Sequence, residues 1–285
     1  MTWRTPRKIS LLTLAAVLVL VGAVPELAWA GAWAQPKGEY YTKLSSIFYR
    51  SDEVFDAVGE RQPITIYGSD FRANQGFLYA EYGLLERLTL ITQLSGASLE
   101  SESNIRHNVL RLTTSGIGDV VLGAKYQLVG KPIVLAPFAS VKIPTSYDDD
   151  VNPALGTGNA DVELRLLAAR SFHPLSVYIG AEAGYRLRGG PFSNQISYSG
   201  EIGATPLNRL SVKAYLEDSR TLSGNAGLAD LGLLQVSEGD FTKLGLITGF
   251  RVSRLLWLEV SLESVVAGEN VSAGHSWGLG ISYSH

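Results

Sequence analysis

The segment from Asn159 to Arg188 shows the pattern of the chain most plainly. Asn159, Asp161, Glu163 and Arg165 alternate with Ala160, Val162, Leu164, Leu166 and Ala168. After the short connection Ser171 to Pro174 the alternation resumes. Leu175, Val177, Ile179, Ala181, Ala183, Tyr185 and Leu187 oppose Ser176, Tyr178, Gly180, Glu182, Gly184, Arg186 and Arg188. Side chains of a strand point to opposite faces with period two. The segment therefore predicts a β-hairpin with one wholly apolar face and one face carrying full charges. Each strand runs about ten residues or more, the length that crosses a bilayer at a tilt. The polar face mixes charge with Gly, Ser and Tyr, as a barrel lumen does.

The same pattern recurs along the chain. Strands are predicted over Gly38 to Arg50, Gln75 to Gly83, Arg87 to Gly96, Asp119 to Leu128 and Ile133 to Pro144. Beyond the first hairpin they follow at Gln195 to Ala204, Leu210 to Glu217, Phe241 to Val252 and Leu255 to Val265. In the last strand Trp277, Leu279, Ile281 and Tyr283 oppose Ser276, Gly278, Gly280, Ser282 and Ser284. Pro137 counts against the Ile133 strand, because proline cannot donate to a ladder. Long polar connections are expected at Ser51 to Ala73, where Ile64 and Ile66 extend the alternation, and at Ala97 to Ser115, Thr145 to Gly158 and Ser219 to Asp240. Tight turns separate the others. Twelve strands with alternating short and long connections predict an all-β, closed antiparallel transmembrane β-barrel. Its short turns would face the periplasm and its long loops the outside. Closure removes the two sheet edges. A soluble β-sandwich is the architectural alternative. Against it stands an apolar face on nearly every strand, which in water would be a large exposed patch.

The N-terminus sets the compartment. Arg4, Arg7 and Lys8 precede an apolar run from Ile9 to Val24, and Ala28-Trp29-Ala30 has the small-x-small form of a signal-peptidase site. Ala32-Trp33-Ala34 repeats that form, so cleavage after Ala30 or after Ala34 both fit. The expected division is a cleaved signal peptide over 1–30 and a barrel over 31–285, in the outer membrane of a Gram-negative cell. Loss of residues 1–30 moves the formal charge from −3 to −5. An acidic chain argues against nucleic acid, whose phosphates need a basic face. The chain has no cysteine, so an exported fold of this size relies on closed sheet pairing or a large core.

Several short motifs are shared with a known group. They are Ala32-Trp33-Ala34-Gln35-Pro36-Lys37-Gly38-Glu39-Tyr40, Tyr79-Ala80-Glu81-Tyr82-Gly83-Leu84, Ser115-Gly116-Ile117-Gly118-Asp119 leading to Lys125-Tyr126, Lys142-Ile143-Pro144-Thr145, and Gly156-Thr157-Gly158-Asn159-Ala160-Asp161. In order and spacing the chain resembles the outer-membrane β-barrels of the MetA pathway of phenol degradation, a group of transporters. The resemblance implies passage of aromatic or other poorly soluble compounds. The last strand also resembles the end signal of bacterial outer-membrane barrels, read by the barrel assembly machinery. That signal ends in Phe or Trp, whereas this chain ends in His285.

The polar faces hold the candidate chemistry. Glu81, Asp119, Asp161, Glu163, Glu182, Glu201, Glu217, Glu259 and Glu263 are predicted to point inward with Lys43, Lys125, Lys142, Arg165, Arg186, Arg188, Lys213, Lys243 and Arg251. Nine acids against nine bases give no field of one sign and predict weak ion selectivity. Lys125, Lys142, Asp161, Glu163, Arg165, Glu182, Arg186, Glu201, Lys213, Arg251 and Glu259 are the candidate pore lining. Two readings of the lumen stay open. It is a polar pore for passive uptake of small solutes, or it is filled by a salt-bridge network that only satisfies its own charges. Inward Gly123, Gly180, Gly184, Gly245, Gly249, Gly278 and Gly280 favour space.

No enzyme, metal or cofactor is expected. His107, His173, His275 and His285 lack metal-ligand spacing. A lipid hydrolase built on His107 with Ser115, or His275 with Ser276, is the rival class, but no Gly-x-Ser-x-Gly elbow is present. Asp148, Asp149 and Asp150 read as a solvated acidic loop rather than a calcium site. A purely structural or adhesive barrel is the third class. The expected partners are outer-membrane lipid, the assembly machinery with periplasmic chaperones, and a small-molecule solute.

Overall fold

In the computed structural model the described residues are 31–63, 70–105, 108–148, 151–222 and 239–285. The signal-peptide expectation over 1–30 lies outside them, as do Ile64, Ile66, His107, Asp149 and Asp150. The strands are β1 (Tyr40–Ser51), β2 (Glu53–Phe55), β3 (Arg61–Pro63), β4 (Asp70–Leu85), β5 (Leu88–Ile105), β6 (Asn108–Tyr126), β7 (Val134–Ile143) and β8 (Asp161–Ser171). They continue with β9 (Val177–Arg188), β10 (Gln195–Leu207), β11 (Leu210–Thr221), β12 (Asp240–Arg251), β13 (Leu256–Glu269), β14 (Val271–Ser272) and β15 (His275–Ser284). Twelve of them close into one antiparallel barrel in the order β1-β15-β13-β12-β11-β10-β9-β8-β7-β6-β5-β4. The short β14, β2 and β3 form a separate small sheet at the loop end.

Register fixes the two faces. Glu163 pairs with Arg186 and Leu164 with Tyr185, so charges meet on one side of β8–β9 and apolar groups on the other. The outer side is an apolar belt: Leu44, Leu78, Leu164, Ile202, Leu246, Leu262 and Leu279 are each more than 40% exposed. Exposed apolar side chains on every strand suit lipid, not water. Pro137 faces outward, just past the last β6–β7 pair, Lys125 with Phe138. A missing N–H there interrupts no further pairing with β6.

The predicted loop from Ala97 to Ser115 is instead strand. β5 and β6 run on as a long hairpin with pairs from Gly96–Ile117 to Ile105–Asn108. This extension mixes polar and apolar side chains on both faces, with Leu99 buried on one of them, so its sequence does not alternate; ladder bonds and the Arg111–Glu102 ion pair at 2.8 Å hold it. The polar segment after Ser51 likewise contains β2 and β3, and β4 begins at Asp70. Between β13 and β15 the chain forms the short β14. β10 runs through Leu207, which pairs with Leu210, so that turn is shorter than expected.

His285 closes the seam. It exchanges backbone bonds with Tyr40, at 3.1 and 3.0 Å, and its ring lies nearly parallel to the Tyr40 ring, 5.6 Å away. Tyr40 also stacks on Tyr283. A flat ring thus stands at the terminal position even though it is histidine.

Candidate functional site

The barrel interior is the site. Register places all eleven candidate lining residues on the inward face. Every one of the nine inward acids is in an ion pair. Glu259 meets Lys43 at 2.5 Å, Glu81 meets Lys125 at 3.1 Å, and Asp119 and Asp161 meet Lys142 at 3.3 and 2.9 Å. Glu163 lies between Arg165 at 2.9 Å and Arg186 at 3.3 Å, and Arg165 also reaches Glu182 at 3.1 Å. Glu201 pairs with Lys213 at 3.2 Å, and Lys243 lies 3.0 Å from Glu217 and 3.8 Å from Glu263. Arg251 lies over the Trp257 ring and Arg188 over Phe192. Charges held this way tolerate a low-dielectric interior, because each of these acids has a cation within 4 Å.

The inward glycines do not leave space. A Cβ on Gly245 would stand 2.2 Å from the Tyr215 ring, and one on Gly203 would stand 2.1 Å from the Tyr178 ring. Both are direct cross-strand pairs. Each tyrosine therefore lies flat over the glycine opposite it, an aromatic covering of bare backbone. The Phe138 ring covers Gly123, and the Arg165 stem approaches Gly184. The expectation that these glycines widen the lumen fails because their neighbours fill them.

The turn end of the lumen is blocked by the segment before β1, which sequence reasoning treated only as the start of the mature chain. Ala32 is buried against Val134, Ala136, Leu167 and Ala169, and Trp33 packs on the same cluster. Trp33 meets Tyr178 edge-on. The Gln35 backbone N–H donates to Thr89 Oγ1 at 2.8 Å, its side chain donates to Glu81 at 3.0 Å, and the Ala34 N–H donates to Gln127 at 2.9 Å. Lys125 Nζ donates to the Gly31 carbonyl at 2.8 Å while holding Glu81. Tyr79 donates to the same carboxylate at 2.5 Å. Gly83 is required here: a Cβ on it would lie 2.0 Å from the Pro36 oxygen. The absence of period-two alternation before Tyr40, together with an Ala-Trp-Ala run and Pro36, was the available signal.

The loop end is also covered. The β7–β8 connection turns inward at Leu155, which packs on the buried cluster of Phe71, Ala73 and Leu99. Tyr147 donates to Asp119 at 2.5 Å, and Lys142 donates to Thr157 at 2.7 Å. Beside this loop the wall is incomplete. β6 pairs with β7 only from Val120–Ile143 to Lys125–Phe138, so its outer half has no strand on that side. A cavity of about 970 Å³ occupies the gap between residues 112–117 of β6 and loop 144–160, edged by Leu112, Ile117, Val151 and Leu155. Ile117, 67% exposed, pairs with Gly96 of β5 on the outward face.

The hydrolase pairing of His275 with Ser276 is split by the wall. His275 faces outward opposite Arg50, while Ser276 faces inward and donates to Glu263 at 3.3 Å. Among the described residues no group of three or more His, Asp or Glu is placed to hold a metal ion.

No family model matches the chain, and no curated protein matches it. The resemblance to the MetA-pathway group therefore rests on the short motifs alone. Solved structures do match. The COG4313 outer membrane channel from Pseudomonas putida F1 is similar over 91% of this chain and all of its own, with 17% identity and a TM-score of 0.67. The NanC porin is similar over 85% of this chain and 98% of its own, at 9% identity and a TM-score of 0.51. The translocator domain of the autotransporter NalP from Neisseria meningitidis is similar over 87% and 89%, at 10% identity and 0.50. Such identities establish architecture and not cargo. The chain has the fold of an outer-membrane β-barrel.

Proposed function

We propose that this protein is an outer-membrane channel for the passive uptake of small, poorly water-soluble solutes, including aromatic ones, and that the present conformation is its closed state. The observation that carries the reading is the cavity beside the unpaired outer half of β6. It is lined by Leu112, Ile117, Val151 and Leu155 together with threonine, serine, Asp148 and Asn152 side chains, and lies where β6 has no strand beside it. An apolar solute enters there through the side of the wall before it reaches the paired charges of the lumen. Its exit toward the periplasm requires the segment before β1 to leave the lumen. The fully paired interior and the blocked turn end disfavour a freely open pore for ions. The likeness of fold to an outer membrane channel supports the same reading. Passage through the interior makes Lys142, Glu163, Arg165 and Arg186 the charges a solute meets.

The test is influx of an uncharged aromatic solute into proteoliposomes. Thr114→Trp, which fills the cavity edge, is expected to slow influx several-fold while the barrel keeps its heat-modifiable migration. Unchanged influx in a folded Thr114→Trp barrel removes this cavity from the path.

A further inference from the structure

A second cavity, of about 310 Å³, lies inside the barrel beneath the small sheet β14-β2-β3. Its walls are apolar: Ile47, Phe77, Phe241, Val265 and Val271. Phe55 of the small sheet backs Val271 and Phe241 from above, so the sheet acts as a roof. The floor is polar. Glu263 accepts hydrogen bonds from Tyr215 and from Ser276, the latter at 3.3 Å. Lys243 stands 3.8 Å from Glu263 and 3.0 Å from Glu217. Glu217 stands behind Lys243, outside the cavity's lining, so the surplus negative charge of this one-ammonium, two-carboxylate cluster lies partly behind the floor. Ser272, only 2% exposed, borders this cavity with its hydroxyl beside the Tyr49 hydroxyl.

These features select a ligand class. Apolar walls favour a ring or branched alkyl group. A cavity of roughly 150 Å³ accommodates benzene, so twice that volume takes a ring with a short chain. The surplus negative charge opposes a carboxylate, whose own charge would sit near Glu263 in a poorly solvated space. A hydroxyl meets no such opposition. It donates to a Glu263 oxygen or exchanges a bond with the Ser272 hydroxyl at the cavity edge. We propose that this roofed cavity is a binding subsite for an uncharged, hydroxyl-bearing molecule of about one ring and a short chain, and that Glu263 and Glu217 exclude the matching carboxylate. The proposal rests on the channel reading for its purpose but not for its chemistry.

The experiment is equilibrium binding by calorimetry to the purified, folded full-length barrel in lipid nanodiscs. The probes are 2-phenylethanol and phenylacetate. The alcohol is expected to bind at least tenfold more tightly than the acid. Val271→Trp, which fills the cavity, is expected to abolish binding of the alcohol. Glu263→Gln, which removes the surplus charge, is expected to narrow the preference at least tenfold. Equal or tighter binding of phenylacetate to the unaltered protein overturns the proposal, as does undiminished alcohol binding to a folded Val271→Trp barrel. If Val271→Trp does not assemble, the Glu263→Gln comparison decides by itself. Binding is read without flux, so the two readings fail separately. Alcohol binding without influx removes the channel and keeps the subsite, and influx without binding does the reverse.

Discussion

If the segment before β1 is a docked stopper, cutting one of its anchors should raise its undocked population by a calculable factor. Gln35→Ala removes the side-chain bond to Glu81, 3.0 Å long and buried. A hydrogen bond to a charged group contributes about 1.5–3 kcal/mol. Glu81 keeps Lys125 and Tyr79, so its charge stays matched and the lower half of that range applies. At about 1.4 kcal/mol per factor of ten, the undocked-to-docked ratio should rise roughly 10- to 50-fold. The backbone amides of Ala34 and Gln35 report this directly. Each donates to an inward side chain, Gln127 and Thr89, and each exchanges with solvent deuterium only when the segment opens. Local opening sets the rate of such exchange. The expected result is a 10- to 50-fold faster exchange over 31–37 with no change in the β4–β5 ladder, by the same arithmetic. Gly83→Ala gives a harsher version, since its Cβ would lie 2.0 Å from Pro36 O and 2.7 Å from Gln35 O. Unchanged exchange at both amides in a folded Gln35→Ala barrel would refute the role given to Glu81. Fast exchange in the unaltered protein would refute docking itself.

Other consequences are equally direct. The mature protein should begin at Gly31 by intact mass, since cleavage after Ala34 would discard Ala32 and Trp33, which fill the apolar turn-end cluster of Val134, Ala136 and Leu167. Glu163→Gln leaves Arg165 and Arg186 with one fewer carboxylate, so the reversal potential in a salt gradient should shift toward anions; no shift takes Glu163 out of the path. Lys142→Met leaves Asp119 and Asp161 facing each other without their shared cation. It should lower thermal stability by up to about 3 kcal/mol and expose loop 144–160 to protease. His285→Ala removes the ring stacked on Tyr40 and should lower the temperature of heat modification, by about 0.5–1.5 kcal/mol of stability, whereas His285→Phe should not.

The barrel was legible in the sequence because lipid on one side and a polar lumen on the other impose period two on each strand. The β8–β9 hairpin reads correctly residue by residue for that reason, including which of Glu163, Arg165, Glu182 and Arg186 point inward. Where that asymmetry ends, legibility ends. The outer parts of β5 and β6 mix polar and apolar side chains on both faces, with Leu99 buried, and their strands went unread although Glu102–Arg111 pair across them. The occupied state of Gly245 and Gly203 depends on which residue stands opposite, and alternation within one strand does not give register. The segment from Gly31 to Lys37 is harder still. It has no period, and its partners Glu81, Thr89 and Lys125 are 46, 54 and 94 residues away.

The central claim is a narrow channel held closed by its own N-terminal segment, and single-channel recording in planar lipid bilayers tests it most directly. The unaltered protein should give small, infrequent steps, and the folded barrel lacking residues 31–37 should give larger and long-lived ones. Silence from both, with each proven folded, would contradict the account and leave a lumen closed by its own ion pairs.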